Sequence, residues 1–424
     1  MGQQIDHILT PETERHFFQE QLLPPLFKKE NITLLRAPHD GIRCQMNFFV
    51  KNFLELNALP AEKRKNIIVD PNWLADKTPE GYFKLMAYCL DPEISYKDTS
   101  EFSFLDLRKI VSKLVEEGFN LTFILIDFHL LDFQVNFFNN LHSLHLIMDR
   151  TKLHYIFTIG DKGILNEGMI EKYGLLGELL AQNLIHFPIL KEKDSLFIIN
   201  RLENRFNYKI SENGKEKVLN LAGGHPGLIR ACLRVLDRYK TLSNEDITAI
   251  CQQQWEINTF LEDIWSVLSF EEKEYLIRLV NGEIRNERTP EFLEAMRIIT
   301  KKENSNVVFS KLFEVFAKKQ KVEKQIVTVD PINEQIMVNG LPPKEKISCQ
   351  EHNLLLAFIK SPGIVFSREK VSEILWNKDS FEKYSDWAID QIIFQLRRKL
   401  EVLGVPCSYI QTIKGRGYRW VGSV

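Results

Sequence analysis

Near the carboxyl end, apolar residues recur at a spacing that permits only one kind of local structure. Ile389, Ile393, Leu396 and Leu400 follow one another at intervals of four, three and four residues. An α-helix repeats about every 3.6 residues, so these side chains must share one buried face. A second stripe of amide, guanidinium and small side chains consists of Ala388, Gln391, Gln395 and Arg398. The pattern predicts an amphipathic helix over residues 385–400 that presents hydrogen-bonding groups capable of reaching base edges.

Two further helices and a hairpin are predicted around this segment. Ser348 and Glu351 have the spacing of a capping box, so a helix begins at residue 349 and ends at residue 360. Ser367 is placed to cap the next helix. After the amphipathic segment, strand-like residues flank Lys414-Gly-Arg-Gly417, whose glycines allow positive φ and close approach to phosphate. We interpret this hairpin as a basic wing.

These segments resemble the OmpR/PhoB-type winged helix-turn-helix of response regulators. The resemblance covers about the last hundred residues, through SCQEHNLLLAFIKSPGIVFSREKVSEILW, AIDQIIFQLRRKLE and YIQTIKGRGYRWV. It implies that the amphipathic helix enters the major groove, that Lys414 reaches the minor groove and that Thr412 lies near the backbone of the DNA. The expected partner is double-stranded DNA. The DNA-binding residues so predicted are Trp387, Ala388, Gln391, Gln395, Arg397, Arg398, Thr412, Lys414 and Arg416.

The chain departs from that family at three positions that are usually basic, which are Trp387, Phe394 and Gln395 here. Fewer cations weaken the attraction to phosphate, so we expect a different base preference and a dependence on self-association. An alternative hypothesis is that the winged helix is a scaffold for protein contacts and its cations form a solvated face. Three linked motifs in the same order favour DNA binding.

Charge is local in this chain. The formal net charge is −2, which argues against a protein that binds nucleic acid over its whole surface. Between Gln395 and Val424, however, the sequence contains six basic residues and one acidic residue, Glu401. The basic residues are Arg397, Arg398, Lys399, Lys414, Arg416 and Arg419. We therefore expect a cationic surface confined to the carboxyl end.

The first part of the chain alternates short apolar strands with helical segments, which indicates a parallel sheet covered by helices. The predicted strands are residues 32–36, 66–69, 121–127, 154–159 and 184–189. A helical segment follows, with Asp194 as the expected N-cap of its first helix. The predicted architecture is multidomain, α/β plus α+β: an α/β domain, a helical lid, a small winged helix and the winged helix-turn-helix. Their predicted ranges are 1–190, 191–258, 259–320 and 321–424.

The loop after the first strand has the position of a phosphate-binding loop but lacks most of its chemistry. A working loop needs an early glycine, a lysine for the phosphates and a hydroxyl for magnesium. Arg36 stands in place of the glycine, Ile42 in place of the lysine and Arg43 in place of the hydroxyl. Only Gly41 remains.

A second element of such a site is also incomplete. Asp127 ends an apolar strand, but Phe128 stands where a catalytic glutamate is usual, and Thr158 ends the next strand. This order, followed by LAGGHPGLIRACLRVL, resembles AAA+ and STAND signal-transduction P-loop ATPases over about residues 30–318. The resemblance implies a degenerate nucleotide site formed by Arg36, Gly41, Arg43, Asp127 and Pro226.

Without the lysine and the catalytic acid, little stabilises a transferring phosphoryl group, so we expect no hydrolysis, no enzymatic activity and no resident cofactor. One open alternative is that Arg36 or Arg43 binds a nucleotide or other anionic ligand at a helix N-terminus. An inert fold kept for self-association or for docking a protein partner is equally open. Asp127 as a phosphoacceptor is disfavoured, because the paired acids of a receiver domain are lacking after the first strand.

Composition limits the remaining classes. Hydrophobic residues make up 44% and charged residues 26%, and no apolar run approaches the ~18 residues of a membrane span, so no membrane partner is expected. Residues 1–10 lack the pattern of a signal peptide, which favours a cytoplasmic location. Scattered cysteines predict reduced, mostly buried thiols. His142 and His145 are three residues apart, but without nearby carboxylates or thiols we predict no metal site.

Overall fold

The computed structural model describes residues 9–37, 63–74, 77–93, 102–148, 150–162, 172–207, 210–239, 244–284, 287–302, 305–321, 326–343, 347–376 and 386–422. The chain divides into two compact units. The first contains Met1–Leu268 and Tyr275–Lys319, and the second contains Gln320–Val424 together with Ser269–Glu274. None of the helices in the described ranges combines the length and the apolar character that crossing a bilayer requires.

A parallel sheet of five strands forms the centre of the first unit, in the order β2-β3-β4-β1-β5. The strands are β1 (Ile32–Arg36), β2 (Arg64–Val69), β3 (Asn120–Leu125), β4 (Leu153–Ile159) and β5 (Leu184–Phe187). Every residue of β1 and β4 is buried, as expected for inner strands covered on both faces. The predicted α/β fold class is confirmed. The predicted third strand was too long, because the chain turns at Ile126 and Asp127 adopts a left-handed φ of 42°.

Helices cover this sheet. They are α1 (Pro11–Phe17), α2 (Leu23–Phe27), α3 (Pro79–Leu90), α4 (Phe104–Glu116), α5 (Val135–Ile147) and α6 (Leu176–Leu180). Short turns of π-helix (Phe18–Leu22) and 3-10 helix (Pro71–Trp73 and Phe128–Leu130) complete the layer. Side-chain caps fix where two of these helices begin. The Thr78 hydroxyl accepts a hydrogen bond from the Gly81 amide at the start of α3, and Ser103 forms a capping box with Asp106 at the start of α4.

Five helices follow the sheet: α7 (Glu192–Phe206), α8 (Glu212–Ala222), α9 (Pro226–Arg238), α10 (Asn244–Gln253) and α11 (Trp255–Ser266). The predicted N-cap role of Asp194 is wrong. Lys191 occupies the N-cap of α7, and Asp194 lies inside the first turn. Its buried carboxylate accepts hydrogen bonds from the backbone amide and hydroxyl of Thr10, both at 2.9 Å, so it ties the amino-terminal segment to α7.

The rest of the first unit combines helices with a hairpin. Two helices, α12 (Phe270–Val280) and α13 (Glu291–Ala295), precede an antiparallel pair, β6 (Ile299–Lys302) and β7 (Ser305–Val308), and α14 (Lys311–Lys319) follows. The residues of α12 up to Glu274 belong to the second unit, and the rest of this helix belongs to the first. The helix α13 ends at Ala295, because Arg297 has a φ of 55° and the chain enters β6 two residues later. This is the helix-and-hairpin content that we expected of a small winged helix.

The second unit is built on two small sheets and three helices. A two-stranded hairpin, β8 (Val327–Val329) and β9 (Ile336–Val338), comes first. The helices are α15 (Cys349–Lys360), α16 (Arg368–Trp376) and α17 (Asp386–Val402), and a 3-10 turn (Cys407–Tyr409) follows them. A sheet of order β10-β12-β11 contains β10 (Val365–Phe366), β11 (Ile410–Ile413) and β12 (Gly417–Trp420). This order of helices and strands confirms the predicted winged helix-turn-helix.

Both predicted caps in this unit are present. Ser348 and Glu351 form a full capping box at the start of α15. The Ser367 hydroxyl accepts a hydrogen bond of 3.2 Å from the Lys370 amide at the start of α16. Gly417 of the hairpin lies against the protein backbone: a Cβ there would be 1.9 Å from the carbonyl oxygen of Phe366. Its φ of 121° adds a second reason for glycine.

Candidate nucleic-acid interface and degenerate nucleotide site

The inner face of α17 is the one that the sequence predicts. Its four periodic apolar residues are at most 1% exposed and join the core of the second unit: Ile389, Ile393, Leu396 and Leu400. The rotation of about 100° per residue fixes where every other residue of the helix points. The helix begins at Asp386, and Ser385, the predicted first residue, lies outside the described residues.

We call the side of α17 opposite this buried face its outer face. The helical rotation places its members within a sector of about 100°. They are Trp387, Gln391, Phe394, Gln395, Arg398 and Val402. Trp387 is 69% exposed and Val402 is 64% exposed, while the residues between them are partly exposed. Ala388, predicted on the same stripe, lies at its margin and is half-buried. Amide and aromatic side chains therefore make up four of the six members of the outer face.

Arg397 was predicted to bind DNA, and the structure places its guanidinium against the wing. It donates to the carbonyl oxygen of Ile410 at 2.6 Å and 3.0 Å, and to the hydroxyl of Thr412 at 2.8 Å. These bonds fasten α17 to β11. A direct contact of Arg397 with DNA stays a prediction, and its role in positioning the wing is one that sequence reasoning missed.

The wing carries its cations at the tip. Lys414 and Arg416 are exposed in the turn between β11 and β12, and Thr412 is exposed on the strand before it. Gly415 has a φ of 71°, and a Cβ at this position would have no atom within 4 Å beyond its own chain neighbours. The sequence prediction of a tight basic hairpin is confirmed, and the tip presents two positive charges to the solvent.

An ion-pair network supports the amino-terminal half of α17. Arg368 of α16 donates to both oxygens of Asp390, at 2.8 Å and 3.1 Å, and the hydroxyl of Tyr418 also donates to Asp390. Burial, followed by this hydrogen bond, raises the pKa of Tyr418 to about 12. The network joins α16, α17 and β12. No local pattern signals it, because its members are 22 and 28 residues apart.

The carboxyl-terminal half of α17 is fastened to α15. Lys399 donates to the buried carboxylate of Glu351 at 2.6 Å. Burial alone would raise the pKa of Glu351, but hydrogen bonds from Lys399 and Ser348 outweigh it and hold that pKa below its usual value. Glu351 thus caps α15 and anchors α17 at once.

The six basic residues of the carboxyl-terminal segment therefore have different surroundings. Arg397 is hydrogen-bonded to β11, Lys399 to Glu351, and Arg419 to the Gln411 side chain at 2.9 Å and 3.1 Å. Arg398 lies on the outer face, and Lys414 and Arg416 lie on the wing tip. The cationic surface is consequently narrower than the sequence suggests.

In the first unit, the structure brings together two of the predicted nucleotide-site residues. The Arg36 guanidinium lies 2.6 Å from a carboxylate oxygen of Asp127, and both side chains are buried. Arg36 ends β1 and Asp127 follows β3, so the pair spans the carboxyl end of β4. There the Thr158 hydroxyl accepts a hydrogen bond of 3.0 Å from the Asp127 amide. An ion pair thus fills the region where the sequence suggested an anion site.

The residues after Asp127 face the protein interior. Phe128, at the position of the missing glutamate, is fully buried, with its ring centroid 4.9 Å from that of Phe157. His129 accepts a hydrogen bond of 3.3 Å from the Gly160 amide through Nδ1, and burial lowers its pKa. A neutral imidazole fits that acceptor role.

The other predicted nucleotide-site residues are placed differently. Gly41 and Arg43 lie outside the described residues. Pro226 is buried at the first position of α9. The glycines before it allow close backbone packing: a Cβ on Gly223 would lie 1.8 Å from the Phe309 carbonyl oxygen, and one on Gly224 would lie 2.3 Å from that of Leu190. The motif therefore joins α9 to neighbouring backbone segments.

The histidines and cysteines have structural surroundings. His142 and His145 are buried, and a ring nitrogen of His145 lies 2.8 Å from the Leu153 carbonyl oxygen. Among the described residues, no group of three His, Cys, Asp or Glu side chains is arranged to hold a metal ion.

The prediction of mostly buried thiols is wrong for the described cysteines: Cys232 and Cys251 are buried, but Cys349 is exposed and Cys89 and Cys407 are partly exposed.

Comparison with known proteins identifies the carboxyl-terminal segment. Residues 344–420 match the family described as "Transcriptional regulatory protein, C terminal" and form an OmpR/PhoB-type domain, as their motifs indicate. The transcriptional regulatory protein BaeR of Escherichia coli is 43% identical over 70 residues, which are 16% of this chain and 28% of BaeR. The chain thus spans less than a third of the length of this curated relative.

Two solved structures give further similarities. One is the DNA-binding domain of RstA from Klebsiella pneumoniae in complex with the RstA box, with 23% identity and a TM-score of 0.18; the match covers 23% of this chain and 98% of that one. The other is a Walker-type ATPase of Pyrococcus abyssi, with 16% identity and a TM-score of 0.43; the match covers 73% of this chain and 96% of that one.

Proposed function

We propose that this protein is a sequence-specific transcription regulator that binds double-stranded DNA in the cytoplasm through its second unit. One observation carries the proposal: α17 buries its apolar face and exposes an outer face of amide and aromatic groups beside a cationic wing tip. Helices of this kind present their outer residues to base edges, while neighbouring cations contact phosphates. The family match over residues 344–420 supports the same function.

A salt titration of duplex binding tests this proposal. Each neutralised phosphate releases counterions, so the logarithm of the binding constant falls with the logarithm of salt concentration, by about 0.9 per contact. We expect a steep fall for the full chain, and weaker binding with a shallower slope for Lys414→Ala. Arg398→Ala should also weaken binding. Lys109→Ala removes a lysine whose side chain is 78% exposed in the first unit and serves as the matched control.

We also propose that the first unit is a degenerate P-loop ATPase-like module that senses a ligand or partner, or mediates self-association, without hydrolysis. The support is local: Asp127 is paired with Arg36, Phe128 replaces the catalytic acid, and Ile42 replaces the lysine. These groups cannot supply the charge stabilisation that phosphoryl transfer requires. We expect no ATP turnover above background; turnover that disappears in Asp127→Ala would contradict this proposal.

The second candidate function is that of a non-enzymatic protein-interaction scaffold. Its support is the apolar exposure at the two ends of the outer face, Trp387 and Val402. Docking of a protein through such residues would depend weakly on salt, whereas phosphate contacts give a steep dependence. Duplex binding that is absent, or that does not change in Arg398→Ala and Lys414→Ala, would favour the scaffold.

A further inference from the structure

We infer that the outer face of α17 selects A·T base pairs, with Gln391 and Gln395 hydrogen-bonding adenine and with Trp387 and Phe394 contacting the methyl group of thymine. This inference rests on the proposed DNA-binding function and specifies its substrate. It depends on which side chains the fold leaves accessible on this helix.

The chemistry of the outer face matches one base pair better than the other. A glutamine amide donates and accepts at once, which complements the N7 acceptor and N6 donor of adenine, and apolar side chains contact the C5 methyl of thymine. Guanine presents two acceptors, which a lysine or arginine satisfies best. Trp387, Gln391, Phe394 and Gln395 include no cation, and Arg398 enters only at the carboxyl-terminal side.

The two cations that flank this face are held elsewhere in the domain. Arg397 uses the Nε and Nη2 edge of its guanidinium on the Ile410 carbonyl and the Thr412 hydroxyl. Lys399 is paired with Glu351 at 2.6 Å. Recruiting either cation to a guanine would break a bond that positions the wing or α15. Arg398 is therefore the one cation among the amides and aromatic rings of the outer face, and it lies about 4.5 Å further along the helix axis than Gln395.

The spacing of the amides gives the expected pattern in the DNA. Gln391 and Gln395 are four residues apart, which is about 6 Å along a helix that rises about 1.5 Å per residue. Base pairs are stacked about 3.4 Å apart. When the helix follows the major groove, the two amides meet base pairs about two steps apart, and Trp387 reaches about two steps further. We expect A·T pairs clustered within about four steps.

The experiment selects duplexes from a pool with a randomised 20-base-pair core, using the full chain. We expect enriched A·T pairs at two positions about two steps apart, and replacing one of them by G·C should weaken binding about 5- to 150-fold. Gln395→Arg should change the preference at one of these positions to G·C. Gln350→Arg, at an exposed position on α15, makes the same chemical change away from the outer face and should leave the preference unchanged.

A second probe tests the methyl contact. Replacing thymine by uracil in the selected duplex removes only the methyl group, so it should weaken binding of the native chain and have a smaller effect on Trp387→Ala, which keeps the Phe394 contact. Gln391→Arg is the alternative variant if Gln395→Arg does not fold.

The two levels of the hypothesis fail differently. Enrichment of G·C pairs, or an unchanged preference in both arginine variants, overturns the A·T inference and leaves DNA binding intact. If no duplex is enriched and binding is insensitive to salt, the proposed function itself is wrong.

Discussion

The buried ion pair between Arg36 and Asp127 can be broken from one side by Arg36→Met, which keeps a long, flexible side chain but removes the charge. Both residues sit inside the first unit, with side-chain exposures of 6% and 7% and a separation of 2.6 Å. The substitution leaves the Asp127 carboxylate buried without its cation. Removing one partner of such a pair costs about 3–5 kcal/mol, because the remaining charge has lost its compensation.

Removing both charges should have a smaller cost. Replacing a buried pair by apolar side chains of similar volume is often neutral or stabilising. We therefore expect Arg36→Met combined with Asp127→Asn, which removes the second charge and tolerates the left-handed backbone at this position, to be more stable than Arg36→Met alone. A double-variant cycle isolates the coupling between the two side chains.

Hydrogen exchange measured by mass spectrometry suits this test, since a chain of two units does not justify a single unfolding free energy. The peptides of interest cover β1 and β3. A loss of about 3–5 kcal/mol corresponds to exchange about 150- to 5,000-fold faster for amides that open with this part of the sheet. Lys109→Met breaks an exposed pair with Asp106 and should change exchange by less than about fivefold. Exchange of β1 in Arg36→Met within about fivefold of the native rate would refute the reasoning.

Three further predictions concern the second unit. Gly417→Ala should destabilise it by about 1–3 kcal/mol more than Gly363→Ala, measured by hydrogen exchange of β10–β12 peptides. Both glycines have positive φ, but only Gly417 meets backbone at 1.9 Å, so equal losses would contradict this. The lowered pKa of Glu351 implies stability that is present above its ordinary pKa of about 4.3 and is lost as pH falls through its folded value. Glu351→Gln should therefore flatten the loss of the opening free energy of α15 below pH 5, measured by hydrogen exchange, and an unchanged profile would count against this reasoning. Arg397→Ala should speed hydrogen exchange in β11 even without DNA. If Arg397 only contacted DNA, the substitution would leave this exchange unchanged.

Sequence reasoning succeeded where a structure is set by neighbouring residues. The capping box of Ser348 and Glu351 acts over three residues, and the burial of Ile389 and Ile393 follows from the helical repeat. The turn at Lys414 depends on the glycines beside it. For these reasons the helices, the wing and the outer face of the second unit could be predicted.

Contacts between distant residues could not be predicted in this way. Arg36 and Asp127 are 91 residues apart, so the sequence shows a missing glycine and a remaining acid but not that the two are paired. Arg397 was counted as a DNA contact because charge alone does not show which acceptor a guanidinium will find. The need for glycine at position 223 arises from the carbonyl of Phe309, which is 86 positions later in the chain.

The central claim is that the outer face of α17 contacts the bases of DNA, and site-specific photocrosslinking tests it most directly. A photoreactive amino acid is placed at Gln391 in the full chain, or at the exposed Gln350 of α15 as the control, and each protein is irradiated with a random-sequence duplex at low salt. We predict a crosslink to DNA from position 391 that far exceeds the one from position 350. A duplex that binds and yet crosslinks from position 350 but not from position 391 would contradict the account.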